Sequence, residues 1–530
     1  MMKRLALLLA LVLVVSTFGA GSVSATHEEG SANLAPQQDD VSRIVIGTTD
    51  DISELDPANA YSFHDWEILR NTSEGLLAYV PGSTDIEPRL ATDFPTVSED
   101  GLTYTFTLRD DAMFPDGTAL TAETMVEWAN RSLTLQGDPY TLISIVDTVT
   151  LGENENEIVF TLKERFDLFP ITVASQPQLY PFQAGDFPAD DFDNQPDQIR
   201  GVGPYMLVDY TIGEQAVFQA NPNYYGEAPA FDEVVFVYYE DDAQLTLAIE
   251  TGEIDMAWRG VTETEVDRLA GIENLELITV PGRIQYFLFN HDSEIGGNKL
   301  VRTAIAKAIN RDEIVDRGLS GLATPIFSMV PPGFAGASES FFFFYGNQDL
   351  EGAIADLQEA GYSEDSPLQL DLWYPPERYG GQVADAMIVV ESQLEATGLI
   401  DVELQSVEWS TYVTAATAGE YPFYFLGWFF DYPDADNYIQ PFASCDGSPG
   451  LGVNYCNETM EELISNQRSL VGSPDREEAL IAMQDFYAED VVGIPLWVGQ
   501  DHMVYNSNVV TNVLVGAPLV LEYRLLQSAE

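Results

Sequence analysis

Cysteine, histidine and lysine are scarce in this chain: 2, 4 and 4 residues among 530. Two cysteines exclude a disulfide-dense scaffold and a cysteine-built zinc centre. His27, His64, His291 and His502 are scattered, none at metal-ligand spacing with another, so each reads as a surface or structural residue. Lysine and arginine together number 22 against 86 acidic residues, a formal charge of −64. Nucleic acid needs clustered cations against its phosphates, and an anionic membrane surface needs the same, so both are excluded as partners. Catalytic signatures are missing too. There is no Gly-x-Ser-x-Gly elbow, no Gly-x-x-x-x-Gly-Lys loop and no His-Glu-x-x-His pair. Carboxylate pairs carry no information when 86 acids guarantee chance pairs. Asp431, Asp434 and Asp436 have the spacing of a calcium loop but lack its glycine and terminal glutamate. No metal or cofactor is expected, and nothing points to an enzyme, although the residues alone leave a glycosidase open.

Apolar material is plentiful: 45% hydrophobic and 11% aromatic residues. That suffices for large packed cores and excludes a disordered acidic chain. The length fits roughly two to four domains or lobes. A surface this acidic repels itself, and concentrated salt removes most of that cost by shortening the Debye length to about 3 Å at 1 M. An extracellular protein of a salty medium is expected; the alternative is an ordinary acidic secreted protein.

The N-terminus supports export. Lys3-Arg4 precedes an unbroken apolar run, Leu5 to Val15, and Val23-Ser24-Ala25 has the small-x-small form of a signal-peptidase site. Residues 1–25 are therefore read as a signal peptide, with an uncleaved anchor as the alternative. No cysteine near the site offers a lipoprotein anchor. Residues 26–40 have almost no apolar content and read as a flexible leader.

Strand and helix signals then alternate, which gives an α/β class. Arg43 to Gly47 reads as a buried strand, and Leu102 to Leu108 alternates with period two. Glu157 to Leu162 and Val234 to Tyr238 are further strands. Thr121 caps a helix; Gln244 to Glu250 begins another, ended by Gly252. Val301 to Ile309 is amphipathic, with apolar residues at 301, 304, 305, 308 and 309. Helices over 352–360 and 382–397 stop at Gly361 and Gly398, and 457–468 and 476–488 complete the set.

Cys445 and Cys456 enclose ten residues rich in Gly, Pro and Asn. In an exported chain the simplest outcome is a disulfide across that loop, the alternative being two free thiols.

Several stretches occur in a fixed order. They are Leu55-Asp56-Pro57-Ala58, Glu74-Gly75-Leu76-Leu77, Pro88-Arg89-Leu90-Ala91, 98–106 with its Tyr-Thr-Phe strand, Phe114-Pro115-Asp116-Gly117, Gly203-Pro204-Tyr205, Asn221 to Tyr225, Gly252 to Asp255, Val301 to Ile309 and Gly427 to Asp434. Together they resemble the extracytoplasmic solute-binding proteins of peptide ABC importers, the dipeptide/oligopeptide-binding family. The resemblance implies a two-lobed periplasmic-binding-protein fold of the class II, cluster C type with an extra inserted domain. It places lobe I at 41–66, 200–290 and 500–530, the extra domain at 67–199 and lobe II at 291–499. Crossovers between lobes are expected near Tyr286–Asn290 and Val498–Asp501.

The resemblance also implies a binding mode. Asp431 ends a Trp-x-x-Asp pattern (Trp428 to Asp431), which in the family holds the ligand's α-amino group through a charge-assisted hydrogen bond. Tyr61 and Ser62 are placed to read the peptide backbone by strand-like pairing. Trp428 and Trp258 are candidates to line side-chain space. Arg378, in Pro-Pro-Glu-Arg-Tyr-Gly-Gly, lies in the region where dipeptide binders hold the carboxylate, but without the family's adjacent proline. The implied partners are a peptide ligand and the permease of an ABC transporter, with the receptor a monomer. Relatives of the fold carry nickel complexes, oligosaccharide or haem, which are the alternative cargoes.

Overall fold

The computed structural model describes residues 42–529 apart from 377, 380–381 and 517–519. The expected signal segment and leader lie outside the described residues, as does His27.

One large mixed sheet runs through the molecule. Its strands are β1 (Arg43–Thr48), β2 (Tyr205–Thr211), β3 (Gln215–Ala220), β4 (Glu233–Tyr238), β5 (Met256–Trp258), β6 (Leu275–Phe289), β7 (Leu368–Tyr374), β8 (Ile400–Ser406), β9 (Phe423–Trp428) and β10 (Gly493–Asn506). Their order is β8-β7-β9-β6-β10-β5-β1-β4-β3-β2, and Thr324–Pro325 adds a short strand on β10. β1 is parallel to both neighbours, β4 and β5, and its Ile44 and Ile46 are fully buried. This is the apolar run expected of a strand covered on both faces.

β6 and β10 hold the two halves together. They pair antiparallel from Leu275 opposite Asn506 to Leu288 opposite Gly493. At one end β10 pairs with β5; at the other β6 pairs with β9, with Ile284 opposite Trp428 and Phe289 opposite Phe423. The ladder breaks between Pro281 and Ile284. Proline has no N–H to give a ladder, and glycine beside it tolerates the irregularity. β6 is paired with β9 from Ile284 to Phe289.

Three large cores lie around this frame. One is built wholly from residues 284–497, including Phe287, Val301, Ile305, Met387, Phe425 and Tyr487. A second joins the two ends of the described chain, from Ile44 and Ile46 to Tyr523 and Leu526. A third surrounds a separate four-stranded antiparallel sheet containing Thr103–Thr107 and Glu157–Leu162, with Tyr104, Phe106, Phe160 and Phe169 at its centre. The helix α1 (Phe63–Thr72) sends Trp66 and Leu69, three residues apart on one face, into the second core. The segment tied to that core thus extends past residue 66. Helix α2 (Lys299–Ala308) buries Val301, Ala304, Ile305 and Ala308. Each fully buried valine or isoleucine there stabilises the fold by about 1.5–3 kcal/mol. Cys445 and Cys456 are joined as a disulfide, with Cα atoms 4.4 Å apart.

Candidate functional site

β9 delivers Trp428 and then Asp431 to the junction of the three cores. The turn that follows is fixed by ion pairs. Asp434 accepts two bonds from Arg476, at 2.7 and 2.8 Å. Asp436, fully buried, accepts from Arg468 at 2.7 and 2.9 Å, from the Tyr432 hydroxyl at 2.7 Å and from Gln467. Two of the three carboxylates that suggested a calcium loop, Asp434 and Asp436, are therefore committed to arginines. Among the described residues no group of three or more His, Cys, Asp or Glu is placed to hold a metal ion.

Asn437 orients the end of β9. Its Oδ1 accepts from the Asp431 N–H at 2.7 Å, its Nδ2 donates to Asp431 Oδ2 at 3.1 Å, and its carbonyl accepts from Trp428 Nε1 at 3.1 Å. The Tyr61 hydroxyl donates to Asp431 Oδ1 at 3.0 Å, and Gln176 donates to the Asp431 carbonyl. Asp431 is 6% exposed, and burial pushes its carboxyl up to about 6, while the bonds from Asn437 and Tyr61 hold it down. Asp431 and Tyr61 thus meet; Trp428 is joined to Asp431 through Asn437. The Ser62 hydroxyl caps α1, accepting from the Asp65 N–H at 3.2 Å. The structure places Trp258 in the core instead of at a cavity wall. It is 1% exposed, and its Nε1 donates to buried Glu67, which also accepts from Arg259 and Tyr523.

A cavity of about 610 Å³ lies at the break in β6. Its walls include Thr49, Asp50 and Arg259 on one side, Arg378, Tyr379 and Gln382 on the other, and Gly282, Arg283, Gln285, Trp497 and Gln500 from the two long strands. Of the residues expected at a site, Arg378 faces this cavity; Asp431, Tyr61, Ser62, Trp428 and Trp258 are not among its lining residues. The strand register links the two places. Gly427 lies opposite Gln285, and a side chain at Gly427 would collide with Gln285 and Tyr379. The Arg378 guanidinium lies 4.9 Å from the Trp409 ring and that of Arg283 5.9 Å from the Tyr379 ring. Enclosure by protein and the neighbouring Arg283 lower the Arg378 pKa from the usual arginine value.

Sequence reasoning missed Asn437, Arg283 and Tyr379. The Pro281-Gly282 pair inside a β-rich run is a bulge signal that marks Arg283. Nothing local marks Asn437, whose role depends on the turn made by distant Arg468 and Arg476.

Residues 85–450 match the family described as bacterial extracellular solute-binding proteins, family 5 middle. The chain belongs to this family. It is 26% identical over 479 residues to a probable D,D-dipeptide-binding periplasmic protein of Escherichia coli, covering 88% of this chain and 90% of that protein. It is 24% identical over 519 residues to a periplasmic oligopeptide-binding protein of Salmonella typhimurium, covering 92% of each. Among solved structures, a dipeptide-binding protein of a Pseudoalteromonas species in complex with Met-Leu aligns with a TM-score of 0.79 at 20% identity, over 92% of this chain and all of that one. A family member is a receptor and not an enzyme, and its two lobes with an inserted domain are the periplasmic-binding-protein fold. Among the described residues no helix is long and apolar enough to cross a membrane.

Proposed function

We propose that this protein is an exported receptor that captures peptides between its lobes and delivers them to the permease of an ABC transporter. The observation that carries the reading is the buried carboxylate of Asp431, held by Asn437 and bonded at Oδ1, among the described residues, by the neutral Tyr61 hydroxyl. Such a group favours an ammonium, which supplies both charge and hydrogen bonds. A peptide's amino end replaces the Tyr61 hydroxyl or shares Asp431 with it. The peptide extends toward the cavity at the β6 break, where Arg378 takes its carboxylate. The cavity lies within the range of about 300–1,000 Å³ that encloses small ligands. Peptide-binding relatives in two bacteria support the cargo class.

In this reading the first lobe holds 41–66 with the helix that follows, 200–290 and 500–530, the inserted domain most of 67–199, and the second lobe 291–499. Pro281–Ile284 and Val498–Gln500 form the hinge about which the lobes close on ligand. The signal peptide is cleaved after Ala25, and the receptor works as a monomer in a salty extracytoplasmic medium.

Intrinsic tryptophan fluorescence, with two- to eight-residue peptides free and N-acetylated and oligosaccharides alongside, tests the reading. Saturable binding of free peptides, weakened by acetylation and by Asp431→Ala, is expected. A response confined to oligosaccharides would move the cargo to sugar; equal affinity for acetylated peptides would remove Asp431 from the site.

A further inference from the structure

Acid so outnumbers base in this chain that nearly every cation has a counter-charge. Of the 17 arginines and 3 lysines among residues 42–530, 15 make ion pairs. Arg70, Arg311 and Lys163 donate instead to the carbonyls of Ser175, Pro495 and Ser144. Arg283 and Arg378 remain. Among the described residues neither has an acid partner or a hydrogen bond, and both line the 610 Å³ cavity.

Their placement is built in. Arg283 sits on the β6 break, and Arg378 on the loop after β7, and each guanidinium lies against an aromatic ring. Stacking keeps a guanidinium's donors in one plane and leaves them free for a bidentate acceptor. Four acids also line the cavity: Asp50 is 3.8 Å from Arg259, Glu265 pairs with Arg268, and among the described residues Asp242 and Asp501 form no ion pair with Arg283 or Arg378. Arg283 and Arg378 repel each other, and Asp50 offsets part of that repulsion at Arg378. What the two guanidinium groups lack is a bonded acceptor, which a ligand carboxylate supplies. A peptide whose amino end is at Asp431 has one carboxylate to offer at its other end. That group satisfies Arg378 and leaves Arg283 unmatched.

We infer that Arg283 is a specificity residue that selects peptides with an acidic C-terminal residue, its side-chain carboxylate meeting Arg283 while the terminal carboxylate meets Arg378. This rests on the peptide reading above.

Calorimetric titration of the full chain with Ala-Glu against Ala-Gln, and Ala-Ala-Glu against Ala-Ala-Gln, tests it. A hydrogen-bonded charge pair is worth about 1.5–3 kcal/mol, so the Glu peptides are expected to bind about tenfold tighter or more. In Arg283→Gln the two classes become nearly equal; Arg283→Lys restores part of the preference. If wild-type protein binds both classes equally, the inference fails and the peptide reading stands, both arginines then sharing one carboxylate. If neither class nor any longer peptide binds, the peptide reading falls and takes the inference with it.

Discussion

The Tyr61 hydroxyl donates to Oδ1 of Asp431 at 3.0 Å, across 370 positions of sequence. Tyr61 precedes α1, whose face packs in the core shared by the chain's two ends, and Asp431 follows β9, whose residues pack in the core of 284–497. The contact joins elements of the two cores at the group proposed to hold the ligand. In the proposed function, ligand capture and lobe closure act on the same carboxylate.

Peptide affinity should depend on pH through that carboxylate. Its pKa is pushed up to about 6 by burial. An ammonium needs the ionised form, so affinity should be flat above about pH 7 and fall about tenfold per unit below about pH 6. Tyr61→Phe removes a donor that favours the ionised form, so the midpoint should move up. Titrations between pH 5 and 7.5 read both; a midpoint that moved down in the variant would overturn the assignment.

The turn after Asp431 should fail when Arg468 is removed. Asp436 is fully buried, and Arg468 supplies its counter-charge through two bonds. Removing one partner of a buried pair costs about 3–5 kcal/mol, because the remaining charge stays buried. Urea unfolding of Arg468→Met should show a loss of that size. Millimolar calcium should leave the melting temperature unchanged in the wild type, since Asp434 and Asp436 are already held by Arg476 and Arg468.

Reduction of Cys445–Cys456 should destabilise without unfolding. The sequence separation is 11, and closing a loop of that size is worth about 2–3 kcal/mol by the chain-entropy account. Denaturation with and without reductant, and of Cys445→Ser/Cys456→Ser, should give matching losses.

Salt should stabilise the protein. With a formal charge of −64, most long-range interactions between charges are repulsive, and molar salt screens them. The melting temperature should rise from 0.1 M to 2 M KCl. A constant or falling value would leave the acidity unrelated to salt.

Much of the secondary structure was legible because it is locally encoded. Gly252, Gly361 and Gly398 end helices with positive φ, where a Cβ would be strained, and Thr121 caps the helix Ala122–Leu135. The period-two pattern at 102–108 became the strand Thr103–Thr107, with Tyr104 and Phe106 buried. Asp431 was legible as a candidate through its Trp-x-x-Asp context. The two long strands were not, because their pairing partners lie about 200 residues away.

The sequence by itself determined the class of molecule: composition supplied the cores, charge removed nucleic acid, and ordered short motifs pointed to a solute-binding family. Tertiary structure alone decided which residues of one type do different work. Trp258 and Trp428 look alike in sequence, yet one is bonded to buried Glu67 and the other to the carbonyl of Asn437 beside Asp431. Arg468 and Arg378 are both arginines in an acid-rich chain, yet one is paired to Asp436 and the other lines a cavity without an ion pair among the described residues. The physical reason is that burial, counter-charge and pKa are set by neighbours distant in sequence, and only the fold brings those neighbours together.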